Sequence, residues 1–400
     1  MLKILQKRTF KSVATKALLT PFAVLSVIFL HLIKPILVIQ IFQVYTHRIG
    51  HFALNTELAR LQVHKQNQSG KKILGLFYFP SRTPSNSQLD LMWRRELRTI
   101  SGSWGWLLNQ LTKSSKVLNS TELSTTIDFH GLLKEFPLIL KFTQEELLSP
   151  EVRSLGLRKG EKFVCLHVRD YAYANHFFGN KDNQSYRNCN INNFADACEA
   201  LTKMGYTVFR MGVKVEQKLV SKNSRIVDYA TNGMRSEFLD IYLGAHCTFT
   251  ISTASGWDSI PQIFRRPVMR VNTLPVCATD NLALESVYIP KVLIDKATGI
   301  SLNLNQIIDR GVATCYQTHE YANAGIEIRE LNSEELVEAV TEMAARVEGV
   351  YIETSEQTKM HAKLRQILTT SSKLQPSPNL FPIRAHWGSS FLTRYRNYLD

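Results

Sequence analysis

The chain has 400 residues, of which 44% are hydrophobic and 20% are charged, and its formal net charge at pH 7 is +14. A single hydrophobic core stops growing at about 250 to 300 residues, so this length favours two domains. The composition is that of a folded protein and excludes a disordered chain. A positive charge of this size suits nucleic acid, anionic lipid or an anionic small molecule, and its position along the chain distinguishes these partners.

The N-terminal segment, residues 1–35, combines basic residues with an apolar run. The basic residues are Lys3, Lys7, Arg8, Lys11 and Lys16, and no acidic residue precedes Glu57. This pattern favours an anionic membrane surface over nucleic acid, because each Lys or Arg near such a surface contributes on the order of 1 kcal/mol. We find no exposed stripe of alternating basic and aromatic residues, which single-stranded nucleic acid would require.

The apolar run, residues 17–33, carries no formal charge. It is short for a membrane span, which needs about 20 apolar residues. An anchor that lies on the cytoplasmic face of the inner membrane therefore competes with a single span and with a buried core helix. In both membrane interpretations the basic terminus stays cytoplasmic.

The cysteines show no CxxC pair and no His-Cys metal spacing, which predicts reduced core thiols and neither a zinc site nor a disulfide framework. They are Cys165, Cys189, Cys198, Cys247, Cys277 and Cys315.

The first half of the chain alternates apolar strand-like runs with helical patterns. Residues 36–42 and 73–79 read as buried strands of a parallel sheet. The first is followed by a loop with Gly50 and by a helix whose apolar face carries Leu54, Leu58 and Leu61. We expect a Rossmann-like acceptor domain over residues 36–150, since apolar density falls and Pro, Gly and charge increase towards that boundary.

The second half repeats this alternation more clearly. Strands are predicted at residues 163–168, 206–211, 226–227, 247–251 and 267–271, with helices between most of them. Strands joined by single helices specify right-handed parallel crossovers, so residues 151–315 read as a second Rossmann-like domain. Residues 316–400 read as a helical tail that contains an acidic amphipathic helix.

Ligands of an open parallel sheet bind beyond the carboxyl ends of its strands, so the polar residues that follow the strands of the second domain are the candidate donor site. Such a set can hold a diphosphate and a ribose without a metal ion. No GxGxxG follows a strand, so no nicotinamide cofactor is expected, and a nucleotide-sugar would be a co-substrate. The candidates are His167, Arg169, Asp170, Tyr173, Arg187, Asn188, Arg210, Gly212, Asp228, Ser252, Thr253, Ser255 and Gly256.

Arginine has a chemical role in such a site, because a guanidinium can neutralise the charge that develops on a departing diphosphate. Arg169 is the first catalytic candidate and Arg187 the second. The alternative is an ion pair with Asp170 or Asp228. Equally, His167 could be a core histidine, and the Ser252 and Thr253 hydroxyls could cap the following helix.

A general base for the acceptor has to come from the first half. His51 and Glu57 are the best placed, beside Arg48, Gly50 and Asn55 on the acceptor-side loop, and Asp128 or His130 comes next. The alternative interpretation is that Glu57 is a solvated helix residue and His51 a helix cap.

Several stretches together resemble one protein family. They are RIGHFALNTEL, LFYFPSRTPSNSQLDLMWRREL, CLHVRDYAY, YRNCNINNFADACEALTKMGYTVFRMG and FLDIYLGAHCTFTISTASG with FRRPV. Over most of residues 36–350 the chain is similar to bacterial surface-polysaccharide glycosyltransferases, which are in turn similar to the nucleotide-binding half of protein O-fucosyltransferases and nodulation fucosyltransferases.

The resemblance implies a GT-B fold, in which two Rossmann-like domains face a cleft, with metal-independent transfer and with Arg169 on the donor diphosphate. Two departures separate this chain from the fucosyltransferases. Their glycine after the His-x-Arg motif is replaced by the run from Asp170 to Tyr173, and their glycine-rich first loop is reduced to Gly50. The resemblance therefore does not extend to GDP-fucose as the donor.

The sequence thus predicts a glycosyltransferase that moves a sugar from a nucleotide-diphospho-sugar to a glycan or lipid-linked acceptor in cell-surface polysaccharide synthesis. Two alternatives stay open. One is an epimerase or a similar enzyme that modifies nucleotide-sugars, and the other is a non-catalytic membrane-bound protein that binds nucleotides or glycans.

Overall fold

The computed structural model describes residues 2–80, 83–112, 128, 131–179, 183–277, 286–374 and 386–400. The chain forms two compact units. Unit 1 comprises Met1–Thr126 and Phe136–Phe142, and unit 2 comprises Ile127–Glu135 and Thr143–Asp400. Both units are α/β structures built on parallel sheets.

Unit 1 contains a parallel sheet of three described strands in the order β1-β2-β3, whose bounds are β1 Val38–Gln43, β2 Ile73–Tyr78 and β3 Thr99–Ile100. A π-helical turn, His51–Asn55, follows β1 and continues directly into a helix. The helices are α1 Leu2–Ile33, α2 Thr56–Gln68, α3 Ser87–Glu96 and α4 Gly102–Thr112. The predicted strands at residues 36–42 and 73–79 are confirmed to within two residues.

Helix α1 packs against α4 and the sheet of unit 1. Ala23 and Leu30 of α1 are buried in one cluster with Tyr78 and Leu107. The apolar run predicted as a separate membrane segment is therefore the C-terminal half of a long helix that shares the core of unit 1. None of the described helices is long and apolar enough to cross a membrane.

Unit 2 contains a larger parallel sheet, seven-stranded within the described ranges, in the order β12-β9-β8-β7-β4-β5-β6. Its strands are β4 Phe163–His167, β5 Thr207–Arg210, β6 Ile226–Val227, β7 Phe249–Ser252, β8 Val268–Thr273, β9 Val287–Pro290 and β12 His386–Trp387. Strands β10 Val292–Asp295 and β11 Ile326–Arg329 form a separate antiparallel pair. The predicted parallel alternation is confirmed for β4 to β8, whereas β9 to β12 were not predicted.

The described helices of unit 2 surround these sheets. They are α5 Leu132–Glu135, α6 Gln144–Leu147, α7 Pro150–Ser154, α8 Tyr171–Phe178, α9 Ala195–Lys203, α10 Glu237–His246, α11 Ser259–Ile263, α12 Leu304–Asp309, α13 Thr318–Asn323, α14 Ser333–Val347, α15 Ser355–Thr370 and α16 Ser389–Arg394. The acidic helix predicted in the tail is α14, and Asn332 caps it with its side chain.

The sequence suggested a tail that is helical throughout. This prediction is wrong, because β11 and β12 both belong to the tail. Trp387 of β12 pairs with Tyr288 of β9, and its buried indole packs against Tyr288 and Tyr398. A strand of two residues leaves no periodic pattern in the sequence. The tail therefore completes the main sheet.

All six cysteines are free; five are buried and Cys315 is partly exposed. The prediction that cysteines lie in the core is confirmed for the five buried residues.

Candidate functional site

The order of strands in unit 2 creates a switch point beside β4. The chain runs from β4 to β5 and β6 on one side and then returns to β7 on the other side. His167, the last residue of β4, pairs with Ser252, the last residue of β7. In open parallel sheets, ligands bind in the crevice outside the carboxyl ends of the strands at such a point.

Arg169 and Arg187 lie together at this edge of the sheet. Arg169 Nη1 donates to the carbonyl oxygen of Gln184 at 2.9 Å and to Asn188 Oδ1. Arg187 Nη1 donates to Gln184 Oε1 at 2.8 Å, and its Nη2 donates to the carbonyl oxygen of Ala254. These hydrogen bonds end on neutral oxygens and position the two guanidinium groups.

The two positive charges of this arginine pair affect the pKa of Arg187. Burial lowers that pKa from its usual value, and the positive charge of Arg169 lowers it further. Two cations that destabilise each other in a partly desolvated place are stabilised by an anion. The arginine pair is therefore suited to a phosphate or diphosphate group.

The loop after β7 supports the arginine pair from inside the protein. Ser252 and Thr253 are fully buried. Thr253 Oγ1 accepts a hydrogen bond of 2.8 Å from the backbone N–H of Arg169, and Ser252 Oγ donates to Asp258 at 3.1 Å. Both hydroxyl groups thus hold the loop in place through Arg169 and Asp258.

The same loop adopts a tight turn before α11. Ala254 has a left-handed backbone with φ of 61°, a conformation that is costly for a residue with a side chain and common at ligand sites. Gly256 begins a 3-10 turn, and the Ser255 hydroxyl is a buried polar atom without a hydrogen-bond partner. Asp258 at the end of this turn forms a buried ion pair with Arg270 at 3.2 Å.

Arg210 and His167 form a second, deeper group. The Arg210 side chain is fully buried, and its Nη1 donates to Asp228 at 3.2 Å, whereas its Nε and Nη2 have no hydrogen-bond partner among the described residues. His167 stacks on Trp257, and within the same described ranges its Nδ1 has no partner. Burial, and secondly the charge of Arg210, lowers the pKa of His167 to about 4. His167 is therefore neutral at physiological pH.

Asp228 and Asp170 are occupied by the protein itself. Besides Arg210, Asp228 accepts hydrogen bonds from the backbone of Leu219 at 3.0 Å and from Thr231 at 2.7 Å. Asp170 caps α8 and accepts a second bond from the backbone of Glu216 at 2.8 Å. Both carboxylates connect loops at the edge of the sheet.

Two further predicted residues have mainly structural environments. The ring of Tyr173 on α8 lies against Phe177, with 4.6 Å between the ring centroids. Gly212 follows β5 at a place where a Cβ atom would lie 2.5 Å from Val215 Cγ1. A glycine is therefore required here for the loop to pass close to Val215.

A groove with a volume of about 550 Å³ adjoins this edge of the sheet, between the segment of residues 185–191 and the β10–β11 pair with α13. Of the predicted site residues, Asp170 and Asn188 line it, whereas His167, Arg169, Arg210 and Ser252 do not. Asn188 connects the groove with the arginine pair, because its Oδ1 accepts from Arg169 while its buried Nδ2 has no partner in the part of the chain that the structure describes.

Lys291 is a residue of this groove that the sequence did not indicate. Only 3% of it is exposed, and its Nζ donates to the carbonyl oxygen of Asn188 at 2.6 Å. A buried ammonium beside a groove favours an electron-rich ligand group there. Its position directly after β9 could have indicated it, but β9 itself was not predicted.

The predicted acceptor-side residues lie around the π-helical turn of unit 1. His51 Nδ1 lies 3.2 Å from Asn55 Nδ2, and the His51 ring contacts Tyr45. Burial, followed by the charges of Arg48 and His47, lowers the pKa of His51. Gly50 has ordinary helical dihedrals, with φ of −63°.

Glu57 is completely buried, and both its oxygens accept hydrogen bonds of 2.9 Å from Arg60. Because the Glu57 carboxylate is buried and engaged by Arg60, His51 is the stronger of the two candidates. Asp128 accepts bonds from the backbone N–H groups of Leu132 and Leu133 and thereby caps α5. His130 lies outside the described residues.

In the described ranges, no group of three or more His, Cys, Asp or Glu side chains could hold a metal ion.

No family model matches the chain, and neither does any curated protein. Among solved structures, it is similar to the bacterial iron-containing dodecameric glycosyltransferase TibC from enterotoxigenic E. coli, at 12% identity and a TM-score of 0.31, over 60% of this chain and 59% of that one. It is also similar to a family 9 glycosyl transferase from Veillonella parvula, at 9% identity and a TM-score of 0.30, over 58% of this chain and 79% of that one. A third is E. coli ADP-heptose lps heptosyltransferase II, at 12% identity and a TM-score of 0.32, over 64% and 90%.

The chain thus spans about three-fifths of the length of TibC.

Proposed function

We propose that this protein is a glycosyltransferase of the GT-B type. It transfers a sugar from a nucleotide-diphospho-sugar to a glycan or lipid-linked acceptor in the synthesis of a cell-surface polysaccharide. Transfer is metal-independent, and the donor binds at the switch point of unit 2.

The observation that carries this proposal is the arginine pair, Arg169 and Arg187. Both guanidinium groups are held by neutral oxygens at the carboxyl edge of a parallel sheet. Because their two positive charges repel each other, an anion with oxygens on two sides, such as a diphosphate, is the ligand that stabilises both.

The same pair suits the chemistry of the leaving group. When the bond between the anomeric carbon and the diphosphate breaks, the electron pair stays on the diphosphate oxygen. A guanidinium already in place neutralises this charge as it develops, which is the role that a metal ion has in other transferases. Arg169 is the principal residue, because its backbone N–H donates to the buried Thr253 hydroxyl after β7, which fixes the Arg169 backbone.

The groove beside Asn188 is large enough to hold the part of the donor beyond the diphosphate. Its rim carries Glu327 and Lys296, and its floor carries the buried Lys291. A mixture of carboxylate, amide and ammonium groups matches a ligand with many hydroxyl groups, which both donate and accept hydrogen bonds.

We assign the acceptor side of the reaction to unit 1, with His51 as the general base. Its lowered pKa keeps the imidazole neutral near pH 7, so that it can accept the proton of an attacking hydroxyl group. Asn55, bonded to the ring, orients it.

The test is a panel of uridine, guanosine, adenosine and thymidine diphosphates and their sugars, with binding measured by calorimetry and turnover by release of the diphosphate. We expect one nucleotide class to bind and its sugar to be turned over. An absence of both binding and turnover across the panel would refute the proposal. Conversion of the sugar without release of the diphosphate would indicate an epimerase instead.

Arg169→Ala should raise the activation barrier by about 2 to 4 kcal/mol and lower kcat/KM accordingly, because negative charge then develops on the departing diphosphate without the guanidinium. The matched control is Arg158→Ala, an exposed arginine of unit 2, which should keep wild-type kinetics. Equal activity of the two variants would contradict the assigned role of Arg169.

A further inference from the structure

Helix α1 has an inner face that packs on unit 1. Ala23 and Leu30 are buried there, and Leu19, Val27 and Ile33 pack partly buried against the same cluster. These positions recur every three or four residues, so they form one continuous stripe along the helix.

The opposite side of α1 is also apolar but is exposed. Its main stripe consists of Leu18, Phe22, Leu25, Phe29 and Leu32, which are 59–73% exposed, and we call it the outer face. Val24 and Ile28 lie beside this stripe and are also exposed. A continuous apolar surface of this kind on a folded protein marks a contact with a partner or a lipid phase.

The charge of the residues before the outer face indicates which partner this face contacts. Lys3, Lys7, Arg8 and Lys11 precede the outer face, and no acidic residue occurs before Glu57. Anionic headgroups attract such a segment, while the apolar face gains from burial among acyl chains. A contact between two copies whose α1 helices run side by side in the same direction would instead bring two such basic segments together, at a cost in repulsion.

We propose that the outer face of α1 docks on the surface of a bilayer that contains anionic lipid. Because unit 1 holds the inner face, the helix lies in the plane of the interface and attaches unit 1 directly to it. This proposal rests on α1 alone and does not depend on the proposed glycosyl transfer.

The experiment is sedimentation of the full-length protein with vesicles of phosphatidylcholine, with and without phosphatidylglycerol. The wild type should bind the anionic vesicles and bind the neutral ones more weakly. The affinity of the double variant Leu25→Asn, Phe29→Asn for the anionic vesicles should be lower than that of the wild type by about tenfold or more, because this variant removes the apolar contact.

The matched control is Leu91→Asn, which replaces an exposed leucine on α3 of the same unit and should bind like the wild type. Circular dichroism checks the fold of each variant. A second variant, Lys7→Gln, Arg8→Gln, Lys11→Gln, leaves the apolar face intact and should lose the preference for anionic vesicles.

Three outcomes would overturn the proposal. The first is a wild-type protein that binds neither type of vesicle. The second is a folded double variant that binds as well as the wild type. The third is a wild-type dimer that does not bind vesicles and that the double variant converts to a monomer, because the outer face would then contact a second copy.

Discussion

The charged residues that follow the strands of unit 2 differ in what they can offer a ligand. Asp170 and Asp228 have their oxygens engaged by loop backbone. Arg169 and Arg187 donate to neutral oxygens of Gln184, and burial together with the charge of Arg169 lowers the pKa of Arg187. Position after a strand identified Arg169, Asp170 and Asp228, whereas Arg187 lies in a 3-10 turn beyond α8.

His167 allows a test of the buried part of this site by pH. Its pKa in the folded protein is lowered from 6.5 to about 4, so the unfolded chain binds a proton that the folded protein does not. Stability is therefore complete above pH 6.5 and is lost as the pH falls towards 4. The loss amounts to roughly 3 kcal/mol.

Urea unfolding across this pH range measures the effect. In His167→Gln the acid-induced loss of stability should be smaller than in the wild type by about that amount, since glutamine does not titrate. His319→Gln, at an exposed position, is the control and should keep the wild-type profile. An unchanged acid-induced loss in His167→Gln would show that His167 is not buried as a neutral residue.

At the scale of elements, predicted site residues lie in the segments that connect a strand to the following helix. The π-helical turn His51–Asn55 in unit 1 brings the side chains of its two terminal residues within 3.2 Å of each other. π-Helical turns are rare and often occur at functional sites. The sequence predicted a loop and a helix here, but it could not predict this turn, because a π-helical hydrogen bond has no periodicity of its own in the side chains.

Helix α4 illustrates how one residue sets the distance between elements. A Cβ atom on Gly105 would lie 2.3 Å from Tyr78 Cβ, so the helix can approach β2 only with glycine at this position. Gly105→Ala should destabilise the protein by about 1 to 3 kcal/mol, even though alanine favours helices.

Denaturant unfolding measures this change. Gln110→Ala on the exposed side of α4 is the control and should change stability by less than about 0.5 kcal/mol. If Gly105→Ala were as stable as this control, the close contact between α4 and β2 would be incorrect.

At the scale of the whole molecule, each unit has a sheet and a core of its own. The tail of the chain belongs to unit 2, where Trp387 is 1% exposed and lies between Tyr288 and Tyr398. Trp387→Ala should destabilise unit 2 by about 3 to 5 kcal/mol, because it leaves a large cavity beside β9.

Hydrogen exchange distinguishes the two units in this test. Amides of β8 and β9 should lose protection in Trp387→Ala, while those of β1 and β2 keep it. Trp106→Ala removes a partly exposed indole from unit 1 and is the control, with protection of β8 and β9 unchanged. An equal loss of protection in both units after Trp387→Ala would contradict the assignment of the tail to unit 2.

The sequence alone determined the α/β class, the parallel strands β4 to β8 and the residues that follow them, because alternating apolar runs are local patterns. The tertiary structure decided what is not local: the packing of α1 on unit 1, the addition of β9 and β12 to the sheet, and the approach of Lys291 to Asn188. It also decided which side chains stay available for a ligand, as the buried Glu57 and Thr253 show. Such contacts join residues far apart in the chain, and burial and hydrogen bonding between them leave no repeating signal in the sequence.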